Sequence, residues 1–318
     1  MSTQHGEGCT RRSTGWCTRH GAGRMLRCVI LSTIGALGIA NTSSLLATEP
    51  SLAASAQPSE KQSSQKPANE KPAPDKSLPL PGQVFWVEGR TAFVIEPSAK
   101  DVPHESGKPA EPRRWVWYAP TLPNLPGPEE RWMFERFLKA GIAIAGIDVG
   151  ESYGSPDGRK LFTAFHEHLT TQRHYSQKAV LLGRSRGGLM TLSWAAENPS
   201  KVAGFAGIYP VCNIASYPGI EQASGAYHLS ANELKEKLAQ HNPIDRLEQL
   251  AKAKVPLFAI HGDVDKVVPL ELNSGIVRDR YEKFGGKMQL IIPAGQGHNM
   301  WTGFFQSQEL VDFVIRSR

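Results

Sequence analysis

From residue 84 to the end of the chain, short apolar runs alternate with stretches whose apolar positions recur at helical spacing. Val84–Val87 and Thr91–Ile95 predict an opening pair of antiparallel strands, and Arg114–Tyr118 predicts the third strand. A helix is expected over Arg131–Ala140, ending at Gly141, a residue suited to a C-terminal cap. Ile142–Ile147 is a continuous apolar run ending in Asp148, and Leu161–Leu169 is helical. Lys178–Leu182 is strand-like and leads through a glycine-rich turn into a helical pattern from Leu189 to Ala196. Val202–Ile208, Val255–His261 and Lys287–Pro293 are further buried-strand patterns, with Asn232–Gln240 an amphipathic helix between the first two. Continuous apolar strands separated by helices argue for a mostly parallel sheet covered on both faces. No internal repeat is present.

The first eighty residues depart from this pattern. Five arginines accompany an apolar stretch from Cys28 to Ala40, followed by small residues such as Ala54-Ser55-Ala56. This predicts a signal or leader segment over residues 1–47, with Met25 a natural alternative start. The apolar stretch is short for a transmembrane span, so membrane contact is expected only through an uncleaved leader. Residues 48–81 are rich in Ser, Ala, Pro, Lys and Gln and read as a disordered linker with too few large apolar residues for a core. The expected layout is therefore an exported protein, periplasmic, extracellular or envelope-associated, with one domain over residues 82–318.

Charge and cysteine content fit that layout. The formal net charge is +6, but residues 1–47 supply +4 of it. No block of Lys and Arg interleaved with aromatics remains, so nucleic acid is not an expected partner. Cys9, Cys17 and Cys28 fall in the leader, leaving Cys212 alone in the domain, so no internal disulfide is expected there.

The chemistry is concentrated in three loops. Gly183-Arg184-Ser185-Arg186-Gly187 stands between a strand and a helix, and Gly188 lets that helix pack close. A serine hydroxyl is a weak nucleophile unless it is held out beside a base, and a sharp strand-to-helix turn flanked by small residues does this. Past the strand at Val255–His261, Asp265 lies in the turn Gly262–Pro269, with Asp263 the local rival better suited to bonding its own loop. Past the next strand, His298 stands on the glycine-flanked loop Ala294–Trp301. Ser185, Asp265 and His298 thus follow the chain order nucleophile, acid, base. His261, close to its own strand, is expected to be structural. Phe165-His166-Glu167-His168 is not a zinc motif, since its two histidines diverge on a helix.

On these motifs, with Asn242-Pro243-Ile244-Asp245-Arg246-Leu247, residues from about 82 to 318 resemble the α/β-hydrolase superfamily, and most of all dienelactone hydrolase and prolyl-oligopeptidase-type catalytic domains. The resemblance implies an α/β-hydrolase fold of about eight mostly parallel strands, helices on both faces, and a short lid at about residues 210–254. It does not imply a substrate. Many esterases carry a His-Gly motif after the third strand that supplies the second oxyanion donor. Here that position reads Ala119-Pro120-Thr121-Leu122-Pro123, and proline has no N–H to give. The expected donors are the backbone N–H groups of Arg186 and Thr121, with Leu122 the alternative to Thr121.

Arg186 is also a candidate to grip a substrate carboxylate, or to point into the scaffold and bond an acid such as Asp148. Glucuronoyl esterases have a similar Ser-Arg pair, which makes an acidic sugar ester one substrate class to weigh. Tyr217, Tyr227 and Trp301 offer stacking faces to a sugar or aromatic acyl group, or pack against the lid. The resulting expectation is an exported serine hydrolase acting on a small-molecule or polymer-linked ester, with no metal or organic cofactor. Its alternatives are a small serine peptidase, which would need an anchor for a substrate amine or carboxyl terminus, and a non-catalytic binding module on the same fold; the want of a propeller domain disfavours a full oligopeptidase.

Overall fold

The computed structural model describes residues 72–102 and 111–318. The expected leader, and the linker as far as residue 71, lie outside the described residues. Eight strands form one sheet: β1 (Gln83–Val87), β2 (Arg90–Ile95), β3 (Trp115–Tyr118), β4 (Ala143–Ile147), β5 (Ala179–Arg184), β6 (Val202–Ile208), β7 (Leu257–Ile260) and β8 (Met288–Ile291). Their spatial order is β1-β2-β4-β3-β5-β6-β7-β8. β1 and β2 pair antiparallel, β2 meets β4 antiparallel, and every later pair is parallel. The order reverses at β3–β5, and open α/β sheets gather their ligands outside the carboxyl ends of strands at such a point.

Both faces of the sheet are buried, which is why the strands read as unbroken apolar runs. On β3 the side chains alternate between the two cores. Trp115 and Trp117 enter one with Phe162, Phe165 and Trp194, from the helices α2 (Pro156–Glu167) and α3 (Arg186–Glu197). Val116 and Tyr118 enter the other with Phe134 and Phe137 of helix α1 (Arg131–Lys139) and with Phe313 and Val314 near the chain's end. Trp117 stacks on Trp115 with ring centroids 5.3 Å apart and meets Trp194 at 4.8 Å, so bulky rings fill the first core.

The lid region forms a third cluster, in which Ile214, Ala223, Tyr227 and Leu234 close over Tyr153, Leu189 and Val211. The single helix expected at Asn232–Gln240 is two, Ala231–Glu236 and Leu238–His241, broken at Lys237. The first of them has a full capping box, with Ser230 accepting from the Glu233 amide and Glu233 accepting from Ser230.

The linker boundary at residue 81 also shifts. Residues 72–81 lie on the domain as an extended arm. Leu80 is buried, and Leu78 packs against the core containing Phe93 and Phe134. Trp86 Nε1 donates to the Pro72 carbonyl, and Arg131 Nη1 donates to the Pro79 carbonyl. A low average apolar content conceals two leucines placed where the domain needs them.

Candidate active site

Ser185 stands at the junction of β5 and α3 with φ of 50° and ψ of −123°. A positive φ is strained for a residue with a Cβ, and such strain persists only where neighbours over-determine the backbone. Here close packing does so. A Cβ at Gly183 would lie 2.6 Å from the Gly188 backbone, and one at Gly187 would lie 2.8 Å from the Ala119 carbonyl oxygen. The turn is tied down further by the Ser185 N–H, which donates to Ile208, and by the Ser185 carbonyl, which accepts from Val211.

The three loops converge. Ser185 Oγ lies 2.9 Å from His298 Nε2, and His298 Nδ1 lies 2.8 Å from Asp265 Oδ2. With Nδ1 donating to the carboxylate, Nε2 is left to accept the serine proton. Asp265 Oδ1 accepts from the Val267 and Val268 amides at 2.9 and 2.8 Å. Burial works to raise the Asp265 pKa, but hydrogen bonds from His261, the Val268 amide and His298 outweigh it and hold the carboxyl down at about 2. Burial lowers the His298 pKa below that of a free imidazole, and the Asp265 carboxylate opposes this without cancelling it. The imidazole is therefore neutral at pH 7, the state a general base needs.

His261 is fully buried. Its Nε2 donates to the Val268 carbonyl and its Nδ1 accepts from Ser274 Oγ, both at 2.8 Å, so it holds the Asp265 turn in place. Asp263 accepts from the Gly295 amide at 2.7 Å and braces the loop that carries His298. Tyr209 lies under the imidazole with ring centroids 4.3 Å apart.

The remaining expected site residues fall into different places. Thr121 is buried against the start of α3, with its methyl 3.7 Å from where a Gly187 Cβ would be. Arg186 does not reach Asp148; it pairs with Glu151 at 2.5 Å and stays partly exposed. Trp301 is exposed, edge-on to Phe304. Tyr217 is half-buried against the lid cluster. Tyr227 offers no free face: it is buried, its hydroxyl donates to the Tyr153 carbonyl at 2.8 Å, and its ring packs on His241. An amphipathic phenol in a closing lid satisfies both its ends at once, so this tyrosine is a packing residue.

Two groups beside the site escape sequence reasoning. Arg184 Nη1 donates to the fully buried Glu130 at 2.8 Å, and Glu130 also accepts from the Tyr118 hydroxyl and the Gly127 amide. Arg184 Nη2 lies 3.0 Å from Met300 Sδ on the His298 loop. The signal was a charged residue closing an otherwise apolar strand. The second group is Lys76, whose ammonium bonds Asp148 and the Pro123 carbonyl.

Comparison with known proteins agrees with this layout. The model of the prolyl oligopeptidase family matches residues 160–314, which contain Ser185, Asp265 and His298. The solved structure of esterase Est1E from Butyrivibrio proteoclasticus aligns with a TM-score of 0.56 at 15% identity, over 74% of this chain and 98% of that one. The chain has the α/β-hydrolase fold. The family match, over just under half of the chain, is to a family of serine hydrolases. The Pyrococcus horikoshii acylaminoacyl peptidase aligns with a TM-score of 0.57 at 16% identity, over 74% of this chain and 42% of that one. An acylamino-acid-releasing enzyme of Arabidopsis thaliana is 26% identical over 154 residues, covering 46% of this chain and 20% of that relative. The chain thus spans about a fifth of the length of that plant enzyme.

Proposed function

We propose that this protein is an exported serine hydrolase that cleaves carboxylic esters with Ser185 as nucleophile, His298 as base and Asp265 as its orienting acid. The observation that carries the reading is the unbroken hydrogen-bonded chain Ser185–His298–Asp265 at 2.9 and 2.8 Å on the strained turn after β5. As Ser185 Oγ bonds to the acyl carbon, its proton passes to His298 Nε2. The imidazolium forms beside the ionised Asp265 and then returns the proton to the departing alkoxide. The tetrahedral oxyanion takes hydrogen bonds from the Arg186 and Thr121 backbone N–H groups. Water, deprotonated by His298, then attacks the acyl-enzyme and releases the acid.

Esters are preferred over peptides because the shared fold accounts for 98% of the esterase Est1E but for less than half of the peptidase compared with it. A second reading, a peptidase, is favoured by the prolyl oligopeptidase family match itself. Arg186 and the exposed Trp301 are proposed to line the acyl and leaving-group sides, which suits a substrate bearing a bulky or polymeric group. Export rests on the arginine-flanked apolar run of the leader.

The test is hydrolysis of p-nitrophenyl acyl esters against aminoacyl p-nitroanilides by the purified full chain. Ester turnover well above anilide turnover is the expected result. The reverse ranking selects the peptidase, and no turnover of either, with the protein folded, selects a binding module. Cell fractionation with N-terminal sequencing of the mature protein tests export, and a cytosolic, unprocessed chain would refute it.

A further inference from the structure

Lys76 lies in the arm that precedes the first strand, yet its side chain is only 1% exposed. Its ammonium has three donors, and all three are used: Asp148 Oδ1, Asp148 Oδ2 and the Pro123 carbonyl oxygen, each at 2.9 Å. Dehydrating an ammonium is costly, and full pairing of this kind is what makes it tolerable. The acceptors belong to two different loops. Pro123 is two residues past Thr121 in the loop after β3. Asp148 closes β4, the parallel neighbour of β3, and begins the loop whose Glu151 pairs with Arg186. The arm itself is fixed by the Trp86–Pro72 and Arg131–Pro79 hydrogen bonds and by the burial of Leu80.

The loop after β3 needs such a restraint. It contains Pro120, Pro123 and Pro126, none of which has an N–H to donate, and Leu122 is exposed on it. Its backbone is tied at its two ends, by the Ala119 N–H donating to the Leu182 carbonyl and the Gly127 N–H donating to Glu130, and between them by the Leu125 N–H donating to the Leu122 carbonyl. A donor aimed at a developing oxyanion must be held in place before the reaction, since a shift of an ångström is enough to lose most of its effect.

We propose that Lys76 is a positioning residue for the oxyanion hole: by tying the Pro123 carbonyl to Asp148 it holds the Thr121 N–H in register with the Arg186 N–H. The inference rests on the serine-hydrolase reading above. Lys76 touches no substrate. Its effect falls on the transition state and not on substrate affinity.

The experiment uses the full chain with a p-nitrophenyl ester and a trifluoromethyl ketone that forms a tetrahedral adduct with the serine. Lys76→Met is expected to lower kcat by about ten- to a hundredfold, with KM within about twofold of wild type. Affinity for the ketone should fall in parallel with kcat. Asp148→Asn, which keeps the volume and removes the charge, should show the same split and serves if Lys76→Met does not fold. The double variant should lose no more than either single one, because both act through one contact. Arg131→Met cuts only the tether at Pro79 on this arm and should leave kcat and KM near wild type. The proposal is overturned if both Lys76→Met and Asp148→Asn keep kcat and ketone affinity within about twofold of wild type, or if KM rises while kcat holds. A wild-type chain that turns over no ester and binds no ketone sinks the serine-hydrolase reading instead, and the role of Lys76 with it.

Discussion

The turn that carries Ser185 and the loop that carries Thr121 face the same small space, but they are held by different means. The Ser185 turn is built from close packing at its own glycines and the next strand: Gly183 and Gly188 touch backbone to backbone, and Ile208 at the end of β6 and Val211 just past it bond the Ser185 N–H and carbonyl. The Thr121 loop is proline-rich and takes its long-range restraint from a lysine 47 residues upstream of Pro123. A nucleophile needs one fixed atom, which local sterics can supply. An oxyanion hole needs two loops in mutual register, which takes a contact that spans them.

The sharpest way to break this contrast is to attack the Ser185 side. Ser185→Ala and His298→Ala should each cut ester kcat/KM by at least about a thousandfold, and Asp265→Asn by roughly as much, since an amide no longer enforces the right imidazole tautomer. Steady-state kinetics check this, and near-wild-type turnover by any of the three would remove that residue from the mechanism. On the other loop, Thr121→Pro deletes the proposed N–H and should cost about a hundredfold in kcat. Thr121→Ala keeps the N–H and should leave kcat little changed. Equal losses in the two variants would mean that the Thr121 side chain, not its amide, matters.

Support beneath the site should register as stability. Arg184→Met leaves Glu130 charged and fully buried without its cation, which should cost about 3 kcal/mol. For a domain of this size that is a fall in Tm of about 10 °C by calorimetry. An unchanged Tm would mean that Glu130 takes up a proton or another partner.

The pH profile separates the triad from its surroundings. His298 must be neutral to act, and its burial-lowered pKa puts the acid limb of kcat/KM below pH 6.5, with a plateau through neutrality. Asp265, held at about 2, stays ionised throughout that range. Because buried His166 and part-buried His298 bind protons less tightly folded than unfolded, the fold should lose stability as pH falls from about 6.5 toward their lowered values. A stability curve flat from pH 7 to 5 would contradict this. The smallest expected effect is that of Tyr227→Phe, about 1 kcal/mol for one buried hydrogen bond, with ester kinetics unchanged. A large rise in KM would return Tyr227 to the substrate site.

The sequence disclosed what depends on neighbours in the chain and hid what depends on contacts across it. The strands were legible because a sheet buried on both faces demands unbroken apolar runs, and β6 falls at Val202–Ile208 as read. Ser185, Asp265 and His298 were legible because each stands on a glycine-marked loop at a strand's end. Lys76 was not, because its surroundings are compositionally those of a spacer and its partners lie 47 and 72 residues away. Nothing in the sequence around Glu130 marks it, and only the fold brings Arg184, 54 residues on, to its carboxylate. For Arg186 the sequence leaves open a substrate carboxylate or a scaffold acid such as Asp148; Lys76 occupies Asp148, and the acid that pairs with the arginine is Glu151. The break of the lid helix at Lys237 was not legible, because the amphipathic spacing runs on through it.

The measurement that tests the account most directly is covalent labelling of the folded full chain by a fluorophosphonate probe, with the modified residue located by peptide mass spectrometry. The account predicts stoichiometric labelling at Ser185 that disappears in Ser185→Ala and in His298→Ala. A folded wild-type protein that stays unlabelled, or that is labelled at another residue, would contradict it.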